Sequence, residues 1–597
     1  MRLHQIRIEG YKRIQTATIV CGDATFLIGA NNSGKTSVLA AIGYLLSGNK
    51  RIPETEYTCV HDELTGERKT VNSRIVLEGE FRNVPAAAKA WRGFKGRTFD
   101  YDPGETGESG ICLTYRKTYD LGKDVVIEIK SRTRSLAPAY EDIKAPQDLI
   151  DRGLPAEQVT ELFPDLTKKF TVASRVALEA IDDIWLLGSD EEWFQNPGGI
   201  PGVVLARLPR YLFIPAGDSS HEIAGSGVLS RTLNELFEDV RGASHNYREA
   251  QKLLDELAKE LDPTDSTSEF GKMLLELNGV IASIFPESTI HAKADLSDPN
   301  KSLRPSFTIE LSSNVRTPVD HQGTGMVRAA VFGVLRYRQR WLARREDTES
   351  IRPLIIGFEE PEIYLHPSAA NQMRDTIYGL SGSDSQIIAT THSPFLIDLS
   401  RKPRQVLNRF ALAGGAVEVK AFSVTEAFAN LHDDDKDYVK MLMRIDDYVA
   451  RVFFARRVII VEGDTEDIVI RESLSRLELQ ARQHVLAGTE TIKARGKASI
   501  IGIVRYLKAM GIHPYVIHDL DSTVPKAAQF NPKIQSEAGP GMVFPLADCI
   551  EDVLGYSAPS SEKPLKAYLA TRQWGPSWTD IPEEWRVVMT KAFGLPA

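Results

Sequence analysis

The alternation of apolar and polar positions predicts several structured regions at the start of the chain. The segment "RLHQIRIEGYKRI" alternates as a half-buried strand does, and "ATFLIG" has the continuous apolar character of a buried strand. The glycine-rich segment "GANNSGKTS" follows, and "VLAAIGYLL" then predicts a helix. Residues from about 50 to 135 are rich in strand patterns, whereas the character from about 140 to 290 is helical.

The rest of the chain returns to strand patterns and then alternates strand with helix. Buried strands are predicted near "SFTIELSS", "PLIIGFEE" and "SQIIATTHS", and the acidic segment that begins "LHDDDKDYVKML" favours a helical connector. From Arg456 onward the pattern runs through the strand "RRVIIVEG", a helix, the strand "HVLAG", another helix and the strand "HPYVIHDLDS". Such alternation implies a parallel sheet, so we predict an α/β protein.

Domain boundaries are expected where these patterns change. A chain of 597 residues is too long for one hydrophobic core. We therefore expect five segments: 1–165 and 296–425 as two parts of a nucleotide-binding domain, 166–295 as a helical insert, 426–455 as a helical connector, and 456–597 as a second α/β domain.

Composition and net charge exclude few classes of function. The formal net charge of -9 does not exclude nucleic-acid binding, because a local basic surface is sufficient. The four cysteines lie far apart and lack the spacing of zinc ligands, so a reducing cytoplasm is the simplest expectation. The N-terminal segment lacks the apolar core of a signal peptide, and the sequence has no apolar run of about 18 residues that would predict a membrane span.

The segment "GANNSGKT" fits the phosphate-loop pattern G-x-x-x-x-G-K-[ST] between a strand and a helix. Backbone amides of such a loop and the following helix N-terminus favour phosphate oxygens. Lys35 would reach the β- and γ-phosphates, and Thr36 would ligate Mg²⁺. A chance glycine-rich turn is the alternative, which the strand–loop–helix context disfavours. The predicted nucleotide contacts in this loop are Gly29, Asn32, Gly34, Lys35, Thr36 and Ser37.

Three later segments supply further pieces of a nucleotide site. The strand "LIIGFEE" ends in Glu359, which can hold the Mg²⁺ shell, and Glu360, which can polarise an attacking water. The strand "IIATTHS" ends in His392, which can position the γ-phosphate; by itself it would be an ordinary structural histidine. In "HQGTGMVRA", Gln322, Gly323 and Gly325 lie at the predicted N-terminus of a helix, and a helix N-terminus can bind phosphate.

These four pieces, in this order, resemble the ABC-type ATPase head of the SMC, Rad50 and RecF families. The resemblance implies that two heads enclose two ATP molecules, with the signature segment of one head meeting the phosphate loop of the other. The segment Gln322–Gly325 departs from the usual L-S-G-G-Q, and Glu359 stands where these families have aspartate, so slow hydrolysis is expected. Arg13 matches the arginine that these families place near the nucleotide.

A second site is predicted from acidic residues at two strand ends. Glu462 and Glu466 are four residues apart, so both can lie on one face if a helix begins at Gly463. Asp519 and Asp521 alternate along an extended segment and so point the same way. Ends of parallel strands gather at one edge, and carboxylate clusters suit Mg²⁺ or Mn²⁺ in two-metal nucleases. The alternative is that the two aspartates only cap a following helix.

The pair "VIIVEG" and "HDLDS" resembles a Toprim domain, and the fusion of an ABC head to such a domain resembles the OLD (overcoming lysogenization defect) family of nucleases, most closely its phage-encoded founding member. The resemblance implies that the acidic residues bind two divalent metals and cleave DNA. Glu551 matches the family's late glutamate, and Lys563 is the best candidate for its late lysine, with Lys566 and Lys591 as rivals.

The leading hypothesis is therefore an ATP-regulated, metal-dependent DNA endonuclease in phage defence or phage exclusion, with ATP and Mg²⁺ or Mn²⁺ as cofactors. The insert is expected to dimerise the chain, and a helicase or a reverse transcriptase with its nucleic-acid product is a possible partner. A RecF- or SMC-like repair ATPase with a non-catalytic Toprim domain is the alternative. A primase is disfavoured because the cysteines lack zinc-ligand spacing, and a topoisomerase is disfavoured because the sequence shows no separate domain for the nucleophilic tyrosine. The predicted catalytic residues are Glu360, His392, Glu462, Asp519, Asp521 and Lys563, and the predicted metal ligands are Thr36, Glu359, Glu462, Glu466, Asp519, Asp521 and Glu551.

Overall fold

The computed structural model describes most of the chain in two compact units. Residues described are 1–61, 68–101, 109–171, 181–195, 202–217, 227–247, 323–342, 352–363, 367–398, 404–429 and 447–595, apart from single positions inside these ranges, with a few short pieces between them. One unit comprises Met1–Ala216 and Pro353–Ala597, and the other comprises Gly217–Arg352. No helix in these ranges is both long and apolar enough to cross a membrane.

The strands and helices follow in chain order. The strands are β1 (Arg2–Tyr11), β2 (Ile14–Val20), β3 (Ala24–Gly29), β4 (Cys59–His61), β5 (Arg68–Thr70), β6 (Arg74–Arg82), β7 (Phe99–Tyr101), β8 (Gly110–Asp120), β9 (Val126–Leu136), β10 (Trp185–Gln195), β11 (Arg210–Ile214), β12 (Glu310–Ser312), β13 (Arg316–Pro318), β14 (Leu354–Glu359), β15 (Ser385–Thr390), β16 (Gln405–Ala413), β17 (Ala416–Ser423), β18 (Arg457–Val461), β19 (Thr489–Lys493), β20 (Tyr515–His518) and β21 (Val543–Pro545). The helices are α1 (Lys35–Leu46), α2 (Pro146–Asp151), α3 (Ala156–Leu162), α4 (Val228–Ala243), α5 (Thr324–Leu342), α6 (Pro367–Leu380), α7 (Val424–Ala429), α8 (Asp464–Ser475), α9 (Leu479–Gly488), α10 (Lys497–Ala509), α11 (Pro525–Ala528), α12 (Asn531–Ala538), α13 (Ile550–Val553), α14 (Lys563–Thr571) and α15 (Glu583–Phe593).

The first sheet is antiparallel and has the order β10-β9-β8-β6-β1-β2, with β7 added beside β8. In β1 the buried side chains are Leu3, Ile6, Ile8 and Tyr11, and the two-residue alternation shifts between Leu3 and Ile6. The pairing of β1 with β6 is irregular between Leu3 and Gln5, which accounts for the shift because an extra residue moves later side chains to the other face.

The second sheet has the order β11-β14-β15-β3-β16-β17 and is parallel except for the β16–β17 pair. Its central strand β3 is almost wholly buried and leads into the phosphate loop, and α1 begins directly after that loop. Glu359 and Thr390 lie opposite each other at the ends of β14 and β15. Because parallel strands end at one edge, the topology brings the loop and these two strand ends to the same place.

Two buried amide side chains join the first sheet to the second. The Nε2 of Gln386, on β15, donates to the carbonyls of Leu3 at 2.6 Å and Gly22 at 2.8 Å, and its Oε1 accepts from the Leu3 amide at 3.1 Å. The Nδ2 of Asn408, on β16, donates to the Val20 carbonyl at 2.8 Å, and its Oδ1 accepts from the Val20 amide at 3.1 Å. These side chains continue the hydrogen bonding across the gap between the sheets.

The C-terminal domain is built on a third sheet with the order β19-β18-β20-β21, parallel throughout. Its core includes Ile459, Val461 and Ile517 from the strands and Trp585 and Met589 from α15, all at 0% exposure. The buried Trp585 Nε1 donates to Ser473 Oγ at 2.8 Å, which satisfies its polar atom and fixes α15 against α8. The predictions of an α/β protein and of a parallel sheet here are confirmed.

Two local predictions of secondary structure are wrong. Trp185–Gln195 and Arg210–Ile214, inside the region predicted to be helical, form β10 and β11. The segment "HVLAG", predicted as a strand, is the end of α9, and the strand begins at Thr489. A short apolar run fits a buried helix as well as a strand, whereas the β-branched residues Thr489 and Ile492 favour the strand that follows it.

Within the second unit, α4 and α5 are joined by a buried ion pair. Arg338 Nε lies 2.5 Å from Asp239 Oδ2, and the two side chains are 3% and 2% exposed. Much of the predicted insert at 166–295 lies outside the described residues, and its boundaries and its dimerising role stay predictions.

Candidate functional sites

Two glycines shape the phosphate loop between β3 and α1. A side chain at Gly29 would place its Cβ 2.4 Å from the Phe410 carbonyl, and Gly29 has φ +141°. Gly34 precedes the first residue of α1 with φ +99°, a left-handed conformation that glycine adopts without strain. Gly29 thus allows the end of β3 to pack against the backbone of Phe410 on β16, and Gly34 allows the left-handed turn into α1, whose N-terminus favours phosphate oxygens.

The side chain of Lys35 lies beneath this loop. Its Nζ donates to the carbonyls of Gly29 at 3.0 Å and Ala30 at 2.8 Å. Burial lowers the pKa of Lys35, and the charge of Glu360 opposes that shift. Arg13 donates to the carbonyl of Asn32 at 3.2 Å, so the structure brings this predicted arginine to the loop. Each of these side chains can reach a nucleotide phosphate held by the loop.

Thr36 and Glu359 meet although 323 residues separate them. The Thr36 hydroxyl donates to Glu359 Oε1 at 2.7 Å, and the other carboxylate oxygen of Glu359 accepts from the Ala216 amide at 3.2 Å. A hydroxyl beside a carboxylate is the pair that holds Mg²⁺ in phosphate-loop enzymes. The longer side chain of glutamate therefore still reaches the threonine at the position where the ATPase families that the sequence resembles have aspartate.

Glu360 and His392 form the third part of this site. His392 Nε2 lies 3.6 Å from Glu360 Oε1. Burial and the charge of Lys35 lower the pKa of His392, which favours the neutral ring near pH 7. Glu360 has φ +42°, a strained conformation for a non-glycine residue, and its amide donates to the Thr390 carbonyl at 3.1 Å. Strain of this kind is concentrated at functional sites.

Sequence reasoning missed Glu362, which fixes the segment that carries His392. Its Oε1 accepts hydrogen bonds from the Thr391 hydroxyl at 2.7 Å and from the amides of His392 at 3.0 Å and Ser393 at 3.2 Å. Burial raises the pKa of Glu362. The sequence feature that could have indicated Glu362 is its place as the third acidic residue of "FEEPE".

The described structure does not test the other predicted nucleotide contacts. Ser37 is half-buried on α1, one residue beyond Thr36. Gly323 and Gly325 lie at the start of α5 in the second unit. Gln322 lies outside the described residues. Their contact with nucleotide stays a prediction.

The second site lies at the carboxyl ends of β18 and β20, which are neighbours in the third sheet. Glu462 directly follows β18 and Asp519 directly follows β20, and the Asp519 amide donates to Glu462 Oε1 at 2.9 Å. Glu466 lies in the first turn of α8, where its Oε2 accepts from the Gly463 amide at 2.9 Å. Asp521 has φ +49° and is held by its amide, which donates to the Asp548 carbonyl at 3.0 Å.

The electrostatics identify these residues as one cluster. Burial, followed by the charges of Glu466 and Glu462, raises the pKa of Asp519 to about 8. Burial also raises the pKa of Glu462 to about 7, although Lys497 opposes the shift. Burial raises the pKa of Glu466, and the charge of Glu551 adds to it. Buried like charges are costly without a cation, so the cluster is arranged to receive positive charge.

Glu551 and Asp519 provide the atoms that a cation would use. Glu551 is 1% exposed, and within the described chain neither of its carboxylate oxygens has a hydrogen-bond partner; the same holds for Asp519 Oδ1. Lys563 Nζ lies 3.5 Å from Glu551 Oε1, so the predicted late lysine does reach the cluster, whereas Lys566 is exposed on the same helix. Buried carboxylate oxygens without donors fit a divalent cation.

The carboxylates of the cluster do not converge on a single point. Among the residues that the structure describes, no three His, Cys, Asp or Glu side chains form a group ready to hold a metal ion. Cation binding would therefore require some of these side chains to move together. Lys497, which sequence reasoning missed, lies among them: its Nζ is 2.7 Å from Asp521 Oδ2 and 3.9 Å from Glu462 Oε1.

Comparison with known proteins adds independent information. The family model described as AAA ATPase domain matches residues 1–397, and the model described as overcoming lysogenization defect protein-like, TOPRIM domain matches residues 453–521. The OLD nuclease of Thermus scotoductus is 30% identical over 467 residues, covering 72% of this chain and 84% of that protein. The Old nuclease of Escherichia phage P2 is 21% identical over 540 residues, covering 87% of this chain and 77% of that protein.

Among solved structures, the chain is similar to an Smc head domain of Pyrococcus furiosus bound to the C-terminal domain of ScpA. The sequence identity is 14%, the TM-score is 0.35, and the match covers 72% of this chain and 98% of that chain. An SMC head domain from Thermotoga maritima matches with 12% identity and a TM-score of 0.27, covering 70% of this chain and 98% of that chain. These overall scores are too low to support a conclusion about function.

Proposed function

Because this chain belongs to the OLD nuclease family and carries an ATPase domain followed by a Toprim nuclease domain, we propose that it is an ATP-binding, divalent-cation-dependent DNA endonuclease. The observation that carries the proposal is the set of buried carboxylate oxygens of Asp519 and Glu551 that lack donors within the described chain. A merely structural domain would gain nothing by burying such groups, because each costs free energy until it is compensated.

In the ATPase domain, the chain's own residues bind and orient the nucleotide. The phosphate loop receives the β- and γ-phosphates, with Lys35 beneath it. Thr36 and Glu359 hold Mg²⁺, and Glu360 accepts a proton from the attacking water while His392 stays beside it as a neutral donor or acceptor. Glu362 keeps the segment of His392 in place.

In the Toprim domain, Glu462, Glu466, Asp519, Asp521 and Glu551 hold the divalent cations, Mg²⁺ or Mn²⁺. When bound, these cations supply positive charge for the negatively charged transition state of phosphodiester hydrolysis. Lys563, half exposed at the edge of the cluster, binds a phosphate oxygen of the DNA and stabilises its developing charge. Asp548 accepts from the Ser522 amide at 2.7 Å and so holds the loop that carries Asp521.

The wider biological expectations belong to this proposal as well. We expect a homodimer, since two heads are needed to enclose ATP in the ATPase families that the sequence resembles. A role in phage defence or exclusion, an operon-encoded helicase or reverse transcriptase as partner, and a cytoplasmic location stay predictions. Light scattering with and without ATP tests the dimer: a monomer under both conditions at micromolar concentration would contradict it.

The proposal is tested by incubating the full-length protein with supercoiled plasmid and Mg²⁺ or Mn²⁺, with and without ATP. Wild type and Glu584→Gln, an exposed acid on α15, should nick or linearise the plasmid, and Asp519→Asn should not. Cleavage that persists in Asp519→Asn would place the chemistry elsewhere. Steady ATP hydrolysis without any cleavage would instead favour the repair ATPase with a non-catalytic Toprim domain.

A further inference from the structure

A buried lysine lies inside the acidic cluster of the C-terminal domain. Lys497 is 6% exposed as a residue, and its Nζ lies 2.7 Å from Asp521 Oδ2 and 3.9 Å from Glu462 Oε1. The loop before it is fixed to the cluster, because the Gly496 amide donates to the Glu462 carbonyl at 3.1 Å. The ammonium group is therefore held beside two of the five acids by the fold itself.

This position is unfavourable for a lysine in every other respect. Lys497 is the first residue of α10, where the helix dipole disfavours a positive charge. Buried lysines are rare unless they are paired. Two nearby basic residues, Lys493 at the end of β19 and Arg495 in the loop, instead face the half-exposed Asp464 at 2.9 and 3.9 Å. The contrast indicates that the inward position of Lys497 depends on the cluster.

The lysine divides the acidic cluster into two halves. Asp521 and Glu462 are paired with Lys497. Asp519 Oδ1 and both oxygens of Glu551 have no hydrogen-bond partner within the described residues, and Asp519 and Glu551 are 9% and 1% exposed. Asp521 and Glu462 are thus paired with a buried lysine, whereas Glu551 faces the half-exposed Lys563, whose Nζ lies 3.5 Å from Glu551 Oε1.

We propose that Lys497 is a built-in cation that competes with one of the two divalent cations of the Toprim site. A first cation binds at Asp519 and Glu551, where the half-exposed Lys563 can turn into solvent. A second cation reaches Asp521 and Glu462 only when the ammonium group leaves them. This inference rests on the proposed metal-dependent function. It assigns to the site one position that binds a cation tightly and one that binds a cation weakly, because Lys497 competes at the second.

The test is direct Mn²⁺ binding to the full-length protein, with free Mn²⁺ measured by electron paramagnetic resonance and no DNA present. Wild type should bind one cation tightly and a second more weakly in this domain, with Glu359→Gln as background to remove the proposed metal ligand of the ATPase domain. Lys497→Met and Lys497→Gln should tighten the weaker position by roughly tenfold or more, because a competing unit charge a few ångströms away is removed. Lys497→Arg, which keeps the charge, and Lys566→Met, on the exposed face of α14, should bind as wild type does.

The outcomes separate this inference from the proposed function. Unchanged or weaker Mn²⁺ binding in Lys497→Met or Lys497→Gln, with the circular dichroism of wild type, would overturn the competition. Asp521→Asn provides a second test that leaves the lysine in place: it should remove the weak position and keep the tight one, and loss of both would contradict the division. A wild type that binds no Mn²⁺ in this domain would overturn the proposed metal-dependent function itself.

Discussion

Replacing Gln386 by methionine should loosen the attachment of the antiparallel sheet to the parallel sheet. The side chain is 4% exposed and makes three hydrogen bonds, two to carbonyls and one from an amide. Methionine has a similar length and an apolar end, so it removes these bonds without opening a large cavity.

The expected cost follows from those three contacts. A hydrogen bond contributes about 1 kcal/mol net, and a buried backbone group that loses its partner costs about 1–3 kcal/mol. The loss should therefore be on the order of 3 kcal/mol, which corresponds to roughly a hundredfold change in the local opening equilibrium. Replacement by glutamate should cost more, since a carboxylate cannot donate to the two carbonyls of Leu3 and Gly22 and its charge would be buried.

Hydrogen exchange of the full chain, followed by mass spectrometry, measures this effect where it occurs. Amides of β1 should exchange roughly a hundredfold faster in Gln386→Met, whereas those of β20 in the C-terminal domain serve as an internal reference and should not change. Gln15→Met is the matched control, because Gln15 is exposed on β2 of the same sheet. A change below about threefold in β1 would refute the view that the amide joins the sheets.

Three further predictions follow from other contacts. Lys35→Ala should lower ATP hydrolysis by about 100-fold or more, since the phosphates lose their main positive charge; phosphate release measures it, and retained turnover would contradict the assignment. Asp239→Ala should destabilise the second unit by about 3–5 kcal/mol, because it removes the carboxylate that pairs with the buried Arg338. The double replacement Asp239→Leu with Arg338→Leu should recover much of that loss, as thermal unfolding would show. The raised pKa of Asp519 means that, without metal, the folded state holds a proton that the unfolded state releases above about pH 4. In EDTA the free energy of unfolding should therefore fall as the pH rises from about 4 towards 8. Asp519→Asn should flatten that dependence, and an unchanged slope in calorimetry would contradict the reasoning.

The local sequence predicted that the parts of the candidate nucleotide site meet, because these parts are strand ends and a loop with its own signature. Once β3, β14 and β15 are taken as parallel neighbours, Thr36, Glu359 and His392 must come to one edge, and the structure places them there. The strand β11 could not be predicted in the same way. It has five residues, and its place beside β14 depends on pairing with a segment more than a hundred residues away.

The acidic cluster was predicted from spacing, but its positive partner was not. Glu462 and Asp519 follow neighbouring strands, so their meeting is a matter of topology. Lys497 is separated from Asp521 by 24 residues and opens a helix, where a lysine usually faces solvent. Its inward orientation depends on the path of the loop at Arg495 and Gly496, both at positive φ, which a pattern of residue types does not specify.

The strand order of the parallel sheet also governs how a new molecule is assembled on the ribosome. Central strand β3 ends at Gly29, yet its neighbours β15 and β16 begin only at Ser385 and Gln405. The nascent chain therefore carries the phosphate loop without its sheet through most of translation, although β1 and β2 can pair at once. The last strand of that sheet ends at Ser423, before Glu462 has been synthesised. Every newly made molecule thus has all strands of its ATPase sheet before the first carboxylate of the nuclease cluster exists.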